Sequence, residues 1–313
     1  MHADRPALGD LAGRVGVLAH PSAGRGRVGR HLAEVLAALG PADPLVLSAA
    51  TATDVLAAAH DAVRSDVAGL VAVGGDGTAH LAIQAVAGTG VPLGLVPLGT
   101  GNDLADAVGV PSAPAEAARA IVADLAEART TPIDAVRVTG AKSGGEAHWY
   151  AAILSVGFDS AVNARANRMR WPRGPRRYDL AILAELARLR TYSLSLRLDG
   201  TPVETPALLA AFGNTRSYGG GMRMCPDADP TDGLLDVTVV SPVSRLELIR
   251  VKPRLYDGSH VTHPSARTYR AATIEVDAPG AAVFADGEPF LTLPLTLTVV
   301  PRALRLLGAR LPG

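Results

Sequence analysis

The chain has 313 residues, 48 % hydrophobic and 19 % charged, with 30 Lys and Arg balanced by 30 Asp and Glu. That length suggests roughly two domains, the apolar content excludes a disordered chain, and the zero formal charge excludes a global field drawing the protein to nucleic acid or membrane. One cysteine, Cys225, rules out an internal disulfide and suits a reducing cytoplasm. The N-terminus, Met1-His2-Ala3-Asp4-Arg5-Pro6, lacks the layout of a signal peptide, and no apolar run approaches the ~18–20 residues of a membrane span. The expectation is a cytoplasmic protein, peripheral at most at the inner membrane face.

In chain order, 15–19 reads as a strand that leads into His20-Pro21-Ser22-Ala23-Gly24-Arg25-Gly26-Arg27. This loop suits an anion or a solvated connection equally. Apolar residues at Leu32, Val35, Leu36 and Leu39 give 29–39 a helical period. A strand over 44–48 and a helix over 54–63, capped by Thr53, follow. The apolar run 69–73 then stops at Gly74-Gly75-Asp76-Gly77-Thr78, with a helix expected from His80 to Val86. Strand, glycine turn and helix start aim several backbone N–H groups at one point, as a phosphate site requires. The glycines allow positive φ and close approach of a ligand. The pattern is neither G-x-G-x-x-G nor a P-loop, and the chain's two lysines, Lys142 and Lys252, lie far from it. Taken alone, it is equally a tight turn with an Asp cap. A strand over 92–97 ends in a second glycine turn, Leu98-Gly99-Thr100-Gly101-Asn102-Asp103, and Pro111-Ser112-Ala113-Pro114 introduces a long helical pattern through Arg129.

Alternating strands and helices imply a parallel sheet covered on both faces, with ligands beyond the carboxyl ends of its strands. Three glycine-bearing loops, 20–27, 74–78 and 98–103, leave strands at that edge, and their convergence favours a nucleotide phosphate. From about residue 133 the rhythm changes. Segments 133–139, 147–157, 194–199, 203–212, 234–240, 273–277, 281–285 and 291–300 read as strands, and 179–190 as the one strong helix. Strands with few helices indicate an antiparallel sandwich or barrel. The fold class expected is an N-terminal α/β domain, 1–132, and a C-terminal all-β domain, 133–301, with 302–313 packing back on the first. The cleft between domains is the default site.

Gly74-Gly75-Asp76-Gly77-Thr78 followed by Pro97-Leu98-Gly99-Thr100-Gly101-Asn102-Asp103 resembles the diacylglycerol kinase catalytic-domain family. The resemblance continues through Gly213-Asn214, Gly219-Gly220-Gly221, Pro226, Asp232-Gly233-Leu234-Leu235-Asp236 and Asp286-Gly287-Glu288-Pro289, in order along nearly the whole chain. It implies a lipid kinase with an NAD kinase-like or phosphofructokinase-like first domain. ATP is the implied co-substrate, Mg2+ the implied metal, and a lipid hydroxyl, foremost that of diacylglycerol, the acceptor. In the family the first motif binds ATP phosphates, here through Gly74, Gly75, Asp76, Gly77 and Thr78. Thr100 is implied as a further nucleotide contact, Asn102 and Asp103 as loop-fixing or metal-linked groups, and Ser48 as a hydroxyl near the ribose. The chain departs from the family pattern at His20 and His80, where asparagines are usual.

Phosphoryl transfer needs in-line positioning, charge neutralisation and a base for the hydroxyl proton. The resemblance assigns Asp286 as base, with Glu288 beside it; Asp76 is the rival, and a plain hairpin turn over 285–288 is the competing reading. It also implies a second, structural Mg2+ held by Asp232 with carbonyls of Asp229 and Leu234, against which stands an acidic β-turn. Six arginines, at 165, 168, 170, 173, 176 and 177, lie with Trp171 between Ser160 and Tyr178, without an acidic residue. They form a basic patch suited to anionic lipid headgroups or a solvated loop. No nucleic-acid-binding module accompanies them, and a homodimer is left open. An NAD kinase-like enzyme and a non-catalytic nucleotide sensor are the alternative functions.

Overall fold

Short, wholly apolar runs make the sheet of the first unit. The computed structural model describes residues 13–19, 27–47, 51–140, 146–169 and 175–312, and the chain divides into Met1–Ala135 with Val300–Gly313, and Val136–Val299. Strands β1 (Val15–Ala19), β2 (Pro44–Leu47), β3 (Gly69–Gly74) and β4 (Leu93–Pro97) are parallel, in the order β2-β1-β3-β4. Every residue of β1, β3 and β4 is buried, as a sheet covered on both faces demands. The helices are α1 (Arg27–Leu39), α2 (Ala52–Arg64), α3 (Asp76–Val86), α4 (Asp103–Ala107) and α5 (Pro114–Ala126). The step from β1 to β2 runs opposite to the steps onward to β3 and β4, so right-handed crossovers put α1 on the other face from α2 and α3. Accordingly α2 packs with α3, and α1 with α5.

The chain's end completes this unit. Leu306 and Leu307 pair in parallel with Leu93 and Gly94. Asp124 on α5, 0 % exposed, ties the returning segment down. It accepts from the Gly308 N–H at 2.7 Å, from two nitrogens of Arg310 at 2.9 and 3.0 Å, and from Arg129 Nε at 2.6 Å. Burial alone would raise its pKa; the hydrogen bonds from Arg310, Gly308 and Arg129 outweigh it and bring it to about 2.

Two expectations shift here. The cap of α2 is Thr51, not Thr53: its Oγ1 accepts the Asp54 N–H at 3.2 Å and donates to Asp54 Oδ2 at 2.8 Å. The acidic residue three positions on selects Thr51 over Thr53. Helix α3 begins at Asp76 rather than His80, so the first glycine motif forms its opening turn.

The second unit is built from the later half of β5 (Thr131–Gly140), β6 (His148–Tyr150), β7 (Ile153–Gly157), α6 (Phe158–Arg168), α7 (Pro175–Arg188), β8 (Tyr192–Leu198), β9 (Thr201–Ala207), β10 (Leu209–Gly213) and β11 (Leu235–Val240). There follow α8 (Arg245–Val251), α9 (Arg254–Asp257), β12 (Ala266–Ala271), β13 (Thr273–Asp277), β14 (Val283–Ala285), β15 (Glu288–Pro289) and β16 (Leu295–Leu307). One sheet joins the first half of β16 to β13, β8 and β9, with β5 and β6 beside it; the other runs β12-β11-β10-β7-β14-β15. Tyr150, Leu154, Phe212, Leu235, Ile274 and Leu297 belong to the core between them, and the pairs are antiparallel. The architecture is the expected sandwich. Both β7 and β10 are buried along their whole length, because Ile153, Leu209 and Ala211 pack outward in a second cluster with Met224 and Cys225.

The segment 147–157 is two strands parted at Ala151-Ala152, and 203–212 divides at Leu208 into strands of different sheets. Strands β12 and β15 and helices α4, α6, α8 and α9 are additions to the sequence reading. No helix among the described residues is long and apolar enough to cross a membrane.

Candidate functional site

In the first unit the two glycine motifs are locked together. Gly74 stands opposite Pro97 in the sheet, and the Leu98 N–H donates to the Gly74 carbonyl at 2.7 Å. One residue further, Gly75 and Gly99 meet: a Cβ on Gly99 would lie 2.5 Å from the Gly75 Cα. None of Gly74, Gly75 and Gly77 takes a positive φ; Gly75 sits at −102°. Glycine is needed here because two backbones touch, and not for a left-handed turn. Asp76 closes the lock. Its Oδ2 accepts the Asn102 N–H at 2.9 Å and its Oδ1 the Asp103 N–H at 2.8 Å, at the start of α4. Asn102, at φ 67°, bonds its own turn through Gly99, accepting from the amide at 2.8 Å and donating to the carbonyl at 3.4 Å.

Side-chain roles therefore divide from backbone roles. The carboxylate of Asp76 and the amide of Asn102 both hold loop geometry. No side chain caps α3, whose N-terminus carries the positive end of the helix dipole, the chemistry that holds an anion. The amides of Thr78 and Ala79 both turn back to the Gly75 carbonyl, at 3.0 and 3.1 Å. Thr100 is exposed at the tip of the second turn. His80 is buried on α3 with its Nε2 3.4 Å from Gln84 Nε2. His20, Arg25 and Ser48 lie outside the described residues, as does the side chain of Arg27.

In the second unit Asp286-Gly287 is a hairpin turn between β14 and β15, with φ of 51° and 81° and Ala285 opposite Glu288. The turn and the proposed catalytic role are therefore compatible readings of one segment. The Asp286 carboxylate reaches back to the break between β6 and β7: Oδ1 accepts the Ala152 N–H at 2.9 Å, and Oδ2 the Ala151 N–H at 3.2 Å. Asn214 fixes the same two residues from their carbonyls. Its Nδ2 donates to the Ala151 carbonyl at 2.7 Å, and its N–H to that of Ala152 at 2.9 Å. Asn214 thus holds the same break as Asp286, where the sequence showed it only as part of a motif.

The acidic loop after Pro226 is held by a guanidinium. Arg270 on β12, in register with Asp236 of β11, bonds Asp236 Oδ2 at 3.3 Å and also Asp232. The other Asp232 oxygen accepts the Leu234 N–H at 2.9 Å, and Asp229 Oδ1 accepts the Thr231 N–H at 3.0 Å and its hydroxyl at 2.6 Å. Burial raises the pKa of Asp236 against the pull of Arg270. The donors at 229, 232 and 234 are hard oxygens, as Mg2+ requires, but Arg270 already holds the cation position beside Asp232. As arranged they do not fit an added ion. Among the described residues no group of three or more His, Cys, Asp or Glu is arranged to hold a metal.

Of the basic patch, Arg165 pairs with Glu185, joining α6 to α7, and Arg168 Nε donates to the Ala164 carbonyl at 3.1 Å. Arg170, Trp171 and Arg173 lie outside the described residues. Asp159, at the start of α6, has its pKa raised by burial while the Tyr218 hydroxyl, which donates to it, pulls the other way.

Residues 14–138 match the family model of the diacylglycerol kinase catalytic domain, and residues 152–308 that of the YegS C-terminal NAD kinase beta sandwich-like domain. A diacylglycerol kinase of Mycobacterium tuberculosis (strain H37Rv) is 42 % identical over 307 residues, covering 95 % of this chain and 96 % of that protein. A probable lipid kinase YegS-like of Xanthomonas axonopodis pv. citri is 32 % identical over 265 residues, covering 81 % and 82 %. The crystal structure of a diacylglycerol kinase from Bacillus anthracis strain Sterne shares the fold, with a TM-score of 0.69 at 20 % identity, covering 94 % of this chain and 96 % of that one.

Proposed function

The chain belongs to the lipid kinase family of diacylglycerol kinases and YegS-like kinases, and from that membership we propose that it transfers the γ-phosphate of ATP to the hydroxyl of diacylglycerol, giving phosphatidic acid. The observation that carries this reading is the Asp76 bridge, which makes one phosphate cradle of two glycine motifs. The N-terminus of α3, capped by no side chain, supplies the partial positive charge that phosphate oxygens seek. Gly75 and Gly99, bare of Cβ atoms, let the two strand ends close on one another, which brings the backbone of both turns to one place. Mg2+, entering with ATP, supplies charge neutralisation that lysine gives in other kinases.

Asp286 takes the proton from the attacking hydroxyl in this reading. Two amides fix the plane of its carboxylate, one on each oxygen, and an ionised carboxylate is a group able to accept a proton. Glu288, two residues on, supports it. For the acidic loop the Arg270 contact supports an ion-free role, in which a side-chain cation does the neutralising.

The purified protein incubated with labelled ATP, Mg2+ and, separately, diacylglycerol, a mixed lipid extract and NAD tests the assignment. Label in diacylglycerol is the expected result. Label in NAD alone overturns the acceptor in favour of an NAD kinase-like enzyme, and ATP binding without transfer favours a sensor.

A further inference from the structure

Large apolar side chains stand in water at few places among the described residues. Leu180 and Leu183 on α7 are 42 % and 59 % exposed, Leu246 and Ile249 on α8 67 % and 53 %, and Tyr256 on α9 51 %; Leu311 is the other one. Five of these six fall in three helices of the second unit. Scattered exposed leucines carry no message, but a concentration does.

The helices adjoin. The Arg245 guanidinium, at the start of α8, donates to the Ala187 carbonyl at the end of α7 at 2.7 Å. Each exposed pair sits at i, i+3 on its helix, which puts both members on one side. On α7 that side is distinct from the one that buries Ala181 and Leu186. Helix α8 buries none of its residues, so its apolar groups are not a core face seen at an angle.

Charge says what this face meets. Residues 175–190 and 244–257 together carry eight Lys and Arg against four Asp and Glu, a net of +4 in a chain whose total is zero. Arg188 and Arg250, on α7 and α8, and Arg190 and Lys252, within two residues of their ends, are exposed. Aliphatic side chains with a tyrosine, on helices with an excess of positive charge, match acyl chains and interface beneath acidic headgroups. A second copy of the chain would set like charge against like charge.

We infer that the face formed by α7, α8 and α9 docks on the surface of an anionic lipid bilayer. Leu180, Leu183, Leu246 and Ile249 enter the acyl boundary, Tyr256 lies at headgroup level, and the arginines and Lys252 bind lipid phosphates. The choice of a bilayer rests on the proposed lipid kinase activity, because a membrane-resident acceptor must be met where it lies.

Flotation with phosphatidylcholine vesicles, with and without phosphatidylglycerol, tests this. The proteins are the wild type and the double variants Leu246→Ser/Ile249→Ser and Arg250→Glu/Lys252→Glu, each checked for an unchanged melting temperature. The wild type floats with the phosphatidylglycerol vesicles, and each variant binds about tenfold or more weakly while phosphorylating a water-soluble short-chain diacylglycerol at the wild-type rate. Variants that float like the wild type, or a wild type that ignores phosphatidylglycerol, overturn the inference. So does a lipid-free dimer that Leu246→Ser/Ile249→Ser converts to monomer without altering flotation, since the face is then a self-interface. Flotation that depends on the face in a protein that phosphorylates no diacylglycerol sustains the docking surface and removes the activity.

Discussion

Gly75 and Gly99 meet backbone to backbone, so close that a Cβ on the first would lie 2.9 Å from the Cα of the second. The clash is with main chain on both sides, and no rotamer relieves it. Gly99→Ala therefore separates β3 from the second glycine turn, at a cost of about 1–3 kcal/mol in stability. Nucleotide binding is expected to fall further than stability does, because the cradle is what moves. Urea unfolding and ATP titration on the same variant check this, and unaltered ATP affinity would remove the cradle from the site.

Asp76 spends both oxygens on the amides of Asn102 and Asp103. Asp76→Asn leaves a single acceptor oxygen for two donors. The variant is expected to raise the KM for ATP about tenfold, the loss of roughly one charge-assisted hydrogen bond, with a smaller change in kcat. A collapse of kcat at unchanged KM would make Asp76 the base, and displace Asp286 from that role.

Asp286→Asn retains one carbonyl oxygen for the Ala151 and Ala152 amides but loses the proton acceptor. Turnover is expected to fall by about 10²–10⁴, the range for removing a positioned base, with ATP affinity intact. Steady-state kinetics with an equilibrium ATP titration separates the two quantities. Asn214→Ala, which frees the Ala151 carbonyl from its Nδ2 partner, should lower kcat in the same direction by less.

Much of this fold was legible because the strands of the first unit are buried on both faces, and continuous apolar runs between glycine turns announce that. Helix α8 escaped for the opposite reason: it buries no residue, so no apolar stripe marks a core face. Strand β12 alternates Arg267, Tyr269 and Ala271 with Thr268 and Arg270 at a sheet edge, where charge hides the strand period. In the site, the glycine motifs were visible but the reason for their glycines was not. Asp76 finds its partners 26 and 27 residues away, and Asp286 finds its own 134 and 135 residues away. Contacts of that span arise from sheet register, and a local pattern does not encode them.

Arg270 and the acidic loop give a test of what neutralises Asp232. With the guanidinium beside Asp232 and Asp236, Mg2+ added without nucleotide should leave the wild-type melting temperature unchanged. Arg270→Gln strips the loop of its cation and is expected to lower stability by about 1–3 kcal/mol. Its melting temperature should then rise with Mg2+. A wild type already stabilised by Mg2+ alone would return the divalent ion to Asp229, Asp232 and Leu234.

Asp124 makes stability depend on pH with a definite sign. Its folded-state pKa is lowered to about 2, below the ordinary carboxylate value, so the ionised form is favoured by folding. The contribution is present in full above about pH 4 and is lost as pH falls through about 2, amounting to about 2 kcal/mol. Asp124→Asn removes it at every pH. The difference in unfolding free energy between wild type and variant is expected to be largest at neutrality and to shrink to about half by pH 3. Urea unfolding at both pH values measures the difference; a gap that stays constant with pH would show that packing, and not the charge held by Arg310 and Arg129, anchors the end of the chain to α5.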